Sequence, residues 1–110
     1  MGKFVITKRT NGEFQFNLKA GNGQVILSSE GYSSRANCEN GIESVRKNSQ
    51  DDAKYDQKTS SNKKHYFNLK ATNGQIIGTS DMYESEGGRQ NGISSVKENA
   101  PKAVIEDQTK

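Results

Sequence analysis

The 110-residue chain has no tryptophan, one cysteine, one histidine and one proline. A lone Cys38 excludes an internal disulfide and any metal site built on several thiolates. Long apolar runs are missing too, and nothing approaches the roughly 18 residues of a membrane helix. Hydrophobic residues are only 29% and mean hydropathy is −0.99. Any core is therefore thin, well below the usual apolar share of about 45–50% with glycine counted. An excess of one charge sign is also lacking. Charged residues are 26%, the net charge is +3, and the signs alternate along the chain. That mixture opposes disorder by self-repulsion. Apart from Lys63-Lys64 the basic residues are scattered, so the charge reads as ordinary solvated surface. The first residues run straight into Lys3-Phe4-Val5-Ile6 with no signal-peptide pattern. A soluble, cytoplasmic protein with no membrane segment and no cofactor is expected.

What is present is an internal repeat. Phe16-Asn17-Leu18-Lys19-Ala20-Gly21-Asn22-Gly23-Gln24 returns as Phe67-Asn68-Leu69-Lys70-Ala71-Thr72-Asn73-Gly74-Gln75, an offset of 51. The match runs through Tyr32 and Tyr83, then Asn40-Gly41-Ile42 and Asn91-Gly92-Ile93, then Ser44-Val45 and Ser95-Val96. About half the aligned positions are identical. The chain is expected to be a single domain, residues 1–110, made of two pseudo-symmetric repeats at about 1–56 and 57–110.

Phe14, Phe16, Leu18 and Ala20 alternate with polar residues, a strand with one buried face. Phe4 and Ile6 do the same in the strand before it. A third strand is expected at Gln24 to Ser29. Cys38, Ile42, Val45 and Ser49 recur at helical spacing, predicting a helix from about Ser34 to Asn48. The second copy offers Arg89, Ile93, Val96 and Ala100, with Arg89 expected to weaken the helix start. Gly41 and Gly92 lie inside these helices and predict a close approach to the sheet.

Register follows from the turns. A two-residue turn at Asn22-Gly23 would pair Leu18 with Leu27, and Leu69 with Gly78, leaving a hole. A three-residue loop, Gly21-Asn22-Gly23, pairs Leu18 with Ile26 and Leu69 with Ile77 and fills both cores alike, so it is the expected register. The same loop at Thr10-Asn11-Gly12 pairs Ile6 with Phe16 and Phe4 with Leu18. One unit of about 50 residues buries too little apolar surface to stand comfortably alone, whereas two sharing a sheet do not have that difficulty. The expected core is Phe4, Ile6, Phe16, Leu18, Ile26, Ile42 and Val45, with Phe67, Leu69, Ile77, Ile93 and Val96. Tyr55 and Ile105, in the short last strand of each unit, are expected to be buried as well.

The run Phe-Asn-Leu-Lys-Ala-x-Asn-Gly-Gln-[Val/Ile]-Ile, then Ser-x-x-Tyr, then Asn-Gly-Ile-x-Ser-Val, resembles the YegP-like family, bacterial tandem-repeat domains of unknown function. The resemblance covers nearly the whole chain. It implies an α+β fold: tandem β3-α-β repeats forming one mainly antiparallel sheet, with exchanged C-terminal strands and two helices on one face. It implies no activity, cofactor or catalytic residues. Departures are His65 for Phe14, Gly78 for Leu27, and Asn62-Lys63 in place of a hairpin Asn-Gly.

His65 shares strand parity with Phe67 and Leu69 and is expected to cap the core edge. A general base needs positioned partners, and no Ser or Cys nucleophile lies nearby in the pattern. Cys38 falls on an apolar stripe and reads as a small buried hydrophobe. Asp51-Asp52 with Asp56 lacks calcium-loop spacing and reads as a solvated loop. The candidate binding surface is the sheet face opposite the helices, with Gln15, Asn17 and Lys19 from the first copy and Tyr66, Asn68 and Lys70 from the second. The chain thus reads as a monomeric, non-enzymatic binding or interaction module for an acidic peptide or a nucleic-acid strand. Single-stranded nucleic acid is the sharper alternative, although such binders display stacking aromatics and only Tyr66 is offered. An enzyme is disfavoured, since no nucleophile, base and orienter assemble.

Overall fold

The computed structural model describes residues 2–110. The elements are β1 (Lys3–Lys8), β2 (Phe14–Lys19), β3 (Val25–Ser28), α1 (Arg35–Asn48), β4 (Tyr55–Thr59), β5 (His65–Lys70), β6 (Ile76–Thr79), α2 (Glu86–Asn99) and β7 (Val104–Asp107). They form an α+β fold with one seven-stranded sheet in the order β4-β5-β6-β3-β2-β1-β7. Every pairing is antiparallel except β1 with β7. The last strand of the second repeat therefore completes the first repeat's half of the sheet. β4, which follows α1, starts the second half. The two halves meet where β3 pairs with β6 at Ser28↔Thr79, the centre of the pseudo-symmetry.

Each helix begins at a serine cap. The Ser34 side chain accepts from the Asn37 N–H, and Ser85 does the same for Gly88. α1 contacts β2 of its own repeat and β5 and β6 of the other, while α2 contacts β5 and β3. One continuous apolar cluster results, and it contains all twelve expected core residues. Ile105 corrects an expectation: it is 40% exposed, because it sits on the outermost strand of the sheet, with no further strand beside it among the described residues. Tyr55 is buried as expected, and its hydroxyl donates to the Ser49 carbonyl at 2.8 Å.

The hairpin loops form as expected, but the register does not stay in step. The Ala20 N–H donates to the Gln24 carbonyl and the Gly23 N–H to the Ala20 carbonyl, closing the three-residue loop with Gly23 at φ +85°. Lys19 then pairs with Val25, yet Leu18 pairs with Leu27 rather than Ile26. Ile26 is the extra residue of a bulge, and both Ile26 and Leu27 enter the core. The second repeat repeats the slip at Ile77, placing Gly78 opposite Leu69. The hole expected there is filled from across the seam. A Cβ on Gly78 would fall 2.6 Å from both Cγ and Cδ2 of Leu27. The two equivalent positions share one space near the pseudo-axis, and one leucine occupies it.

In the β4–β5 loop, Lys63 takes the left-handed conformation that Gly12 holds in the first copy, at φ 67° against 87°. The loop hydrogen bonds are otherwise the same, Ser60 N–H to Lys64 and Lys63 N–H to Ser60. Arg89 stands in the first turn of α2, which is as long as α1. It is 8% exposed, and its Nη1 donates to the Lys58 carbonyl at 3.0 Å.

Candidate functional site

Alternation along each strand leaves one sheet face free of helices. Its central row crosses all seven strands as Glu106, Val5, Asn17, Ser28, Thr79, Asn68 and Asp56. Asn17 and Asn68 are symmetry mates in this row, as are Ser28 and Thr79. Asn68 is buried and accepts from the Thr79 hydroxyl at 2.9 Å. Val5 is also buried.

All six sequence-predicted residues lie on this face, but they form two groups. β2 and β5 are separated by β3 and β6, which puts them about 14 Å apart at the usual strand spacing. They also run antiparallel, so Lys19 and Lys70 diverge to opposite sides of the row. Lys70 lies 3.2 Å from the Asp56 carboxylate, which also holds Lys58 at 3.4 Å. These two lysines, Lys70 first, keep the Asp56 carboxyl below its ordinary range. Lys19 makes no ion pair among the described residues, although its charge helps Gln108 and Lys3 to lower the Glu106 carboxyl. Lys3 pairs with Glu106 at 3.1 Å. Gln15 is held by the Arg9 guanidinium, and Tyr66 pairs across the ladder with Lys58. The face carries Lys3, Lys19, Lys58 and Lys70 against Asp56 and Glu106, a local excess of positive charge.

The remaining candidates have structural surroundings. His65 is half-buried at the edge of the core, bridged to Tyr83 through the backbone. Cys38 is fully buried, and burial, then Asp107 and Glu39, push its thiol up to about 11. Of the acidic loop residues, Asp51 accepts from the Ala53 N–H, Asp52 pairs with Lys97, and Asp56 faces the open sheet. Among the described residues no group of three metal-ligating side chains converges. Among the described residues no helix is long and apolar enough to cross a membrane.

Two clefts between a helix and a hairpin loop were not anticipated. One lies beside α1 and the β5–β6 loop, the other beside α2 and the β2–β3 loop. The sequence signal was available in Asn40 and Asn91, exposed helix residues that are the same in both copies.

The family model described as "Domain of unknown function (DUF1508)" matches residues 10–56 and again residues 60–107. The chain belongs to the DUF1508 family. The first match holds β2, β3 and α1, and the second holds β5, β6, α2 and β7. Among bacterial relatives in this family, a UPF0339 protein of Acinetobacter baylyi is 52% identical over 98% of this chain and 97% of its own length. The UPF0339 protein YegP of Escherichia coli is 50% identical over 98% of each chain. Two solution NMR structures share the fold. A UPF0339 protein from Shewanella oneidensis superposes with a TM-score of 0.91 at 52% identity, covering 96% of this chain and 90% of that one. Escherichia coli YegP, described as a protein of unknown function, gives 0.93 at 50% identity, covering 97% and 92%.

Proposed function

We propose that this DUF1508 chain is a small non-enzymatic binding module whose helix-free sheet face takes an extended acidic ligand, preferentially a peptide. The observation that carries this is the identity of Asn17 with Asn68 and of Lys19 with Lys70. These residues lie on a face where core packing imposes no choice, and the lysine excess favours negative charge. The two repeats act as one domain and the working unit is a monomer. A buried, unpaired Cys38 suits a reducing compartment such as the cytoplasm. Single-stranded nucleic acid is the weaker candidate, because Tyr66 alone offers a ring for stacking. The test is fluorescence anisotropy with a labelled polyglutamate peptide and a labelled oligothymidylate, titrated with salt. Low-salt binding of the peptide, lost in a Lys19→Glu/Lys70→Glu variant, is expected. Binding of neither probe, or affinity indifferent to the charge reversal, contradicts it.

A further inference from the structure

The cleft beside α1 measures ≈740 Å³, and Tyr32, Asn40, Gly41, Ser44, Gln75 and Ile77 are among its walls. Its counterpart beside α2 measures ≈290 Å³ and has Tyr83, Asn91, Gly92, Ser95, Gln24 and Ile26 at the matching places. Each cleft combines one repeat's helix with the other repeat's hairpin loop, so neither exists within a single repeat. All six residues are identical between the clefts.

Part of that identity is structural. A Cβ on Gly41 or Gly92 would overlap the hydroxyl of Tyr32 or Tyr83. Ile26 and Ile77 belong to the core. Ser44 and Ser95 accept from the side chains of Asn48 and Asn99, each at 3.2 Å. Asn40, Asn91, Gln24 and Gln75 have no such employment. All four are exposed, and their side-chain amides make no hydrogen bond among the described residues. The other exposed positions of α1 are Ala36, Asn37, Glu39, Glu43 and Lys47, and every one of them differs in α2. Asparagine is disfavoured in a helix interior. A disfavoured surface residue kept twice, while its neighbours changed, points to a contact outside the chain.

We propose that the two clefts are equivalent binding sites for an uncharged, extended polypeptide segment, gripped through its main-chain amides. A side-chain amide offers a donor and an acceptor together, the same pair that a peptide group presents. Glu30 is the single charged residue lining the larger cleft, and none lines the smaller, so ionic ligands find no counter-charge. Single-stranded nucleic acid is normally held by bases stacked on open aromatic faces. The Tyr32 ring is stacked on Phe16 at 6.2 Å, with its hydroxyl end against Gly41. Half-buried Ala71 and Ala20, at matching places in the two clefts, with Ile76 in the larger one, give one apolar side chain of the segment a place to rest. The larger cleft is within the size range of ligand sites, about 300–1,000 Å³, and fills first. These sites lie beside the helices and are independent of the open sheet face.

The test is an NMR titration of the full chain with a pool of uncharged, soluble decapeptides, run beside maltohexaose and an oligothymidylate. The side-chain NH₂ signals of Asn40 and Gln75 should move with the peptides, followed at higher concentration by those of Asn91 and Gln24. Asn40→Ala/Gln75→Ala should weaken the first event by about tenfold or more, leaving the second event unchanged and the urea midpoint no lower, since alanine is the better helix former. Lys19→Glu/Lys70→Glu should leave both events intact. Silence with peptides up to millimolar concentration, movement only with the sugar or the oligonucleotide, or unchanged affinity in the amide variant would overturn the proposal.

Discussion

The two repeats share a backbone plan but not a boundary. Beyond β1 of the first repeat lies β7, and α1 clamps it: Arg35 Nε lies 2.9 Å from Asp107, and Arg46 donates to the Ala103 carbonyl at 2.6 Å. Beyond β4 of the second repeat there is no further strand among the described residues. There the position of Cys38 is taken by Arg89, which reaches the backbone of that edge, and the position of Arg35 is taken by Glu86, which pairs with Arg89. The pattern extends to the seam, where Leu27 faces Gly78. Sequence identity persists where the surroundings of the two copies match. It breaks where the second copy has an open edge or where both copies compete for one space on the axis.

The largest expected effects come from breaking what the copies share. Leu18→Ala and Leu69→Ala remove fully buried side chains at equivalent places and should each cost about 2–5 kcal/mol by urea denaturation. Effects that differ grossly would mean that the halves of the core are not alike. The seam gives a sharper test. Gly78→Leu alone overpacks the space held by Leu27 and should cost about 1–3 kcal/mol. The exchange Leu27→Gly/Gly78→Leu should recover most of the stability lost in either single variant, a coupling that a double-mutant cycle measures. Additive losses would show that the two positions do not share one space.

Lys63→Gly places glycine at a left-handed position that its counterpart Gly12 already holds, and should stabilise by about 1 kcal/mol. A subtler effect concerns the clamp on β7. Hydrogen bonds from Thr109, and the Arg35 charge, hold the Asp107 carboxyl below its ordinary range. A lowered folded value means that this stabilisation is complete above the ordinary aspartate range and is lost as pH falls through the lower value. Amide protection in β7 should therefore drop below about pH 4, and Asp107→Asn should reduce that dependence to the part that the Lys3–Glu106 pair contributes. An unchanged acid profile in the variant would assign the clamp to Arg46 alone.

Much of this was legible in the residues. Alternation placed Phe16, Leu18, Phe67 and Leu69 on the buried face, and the loop glycines fixed three-residue turns. The bulges at Ile26 and Ile77 were not legible. The choice of register assumed that each copy fills its own core, whereas Leu27 fills the space above Gly78. Exposure of Ile105 depended on where the last strand ends up in the sheet. The six open-face residues were placed correctly by parity, but strand order, which periodicity does not contain, splits them into two groups. The clefts join a helix to the loop of the other repeat, so they emerge only once the halves are assembled.

The claim on which the rest depends is that β7 binds the repeats into one unit. Hydrogen exchange on a chain ending at Pro101 tests it most directly. Without β7, the first repeat loses the partner of Lys3 to Ile6, and the apolar edge of β1 is uncovered. Protection should fall across the whole sheet, including at Phe4 and Ile6, far in sequence from the cut. Full protection in the first repeat, with fraying confined to the second, would show two independent units and contradict the account.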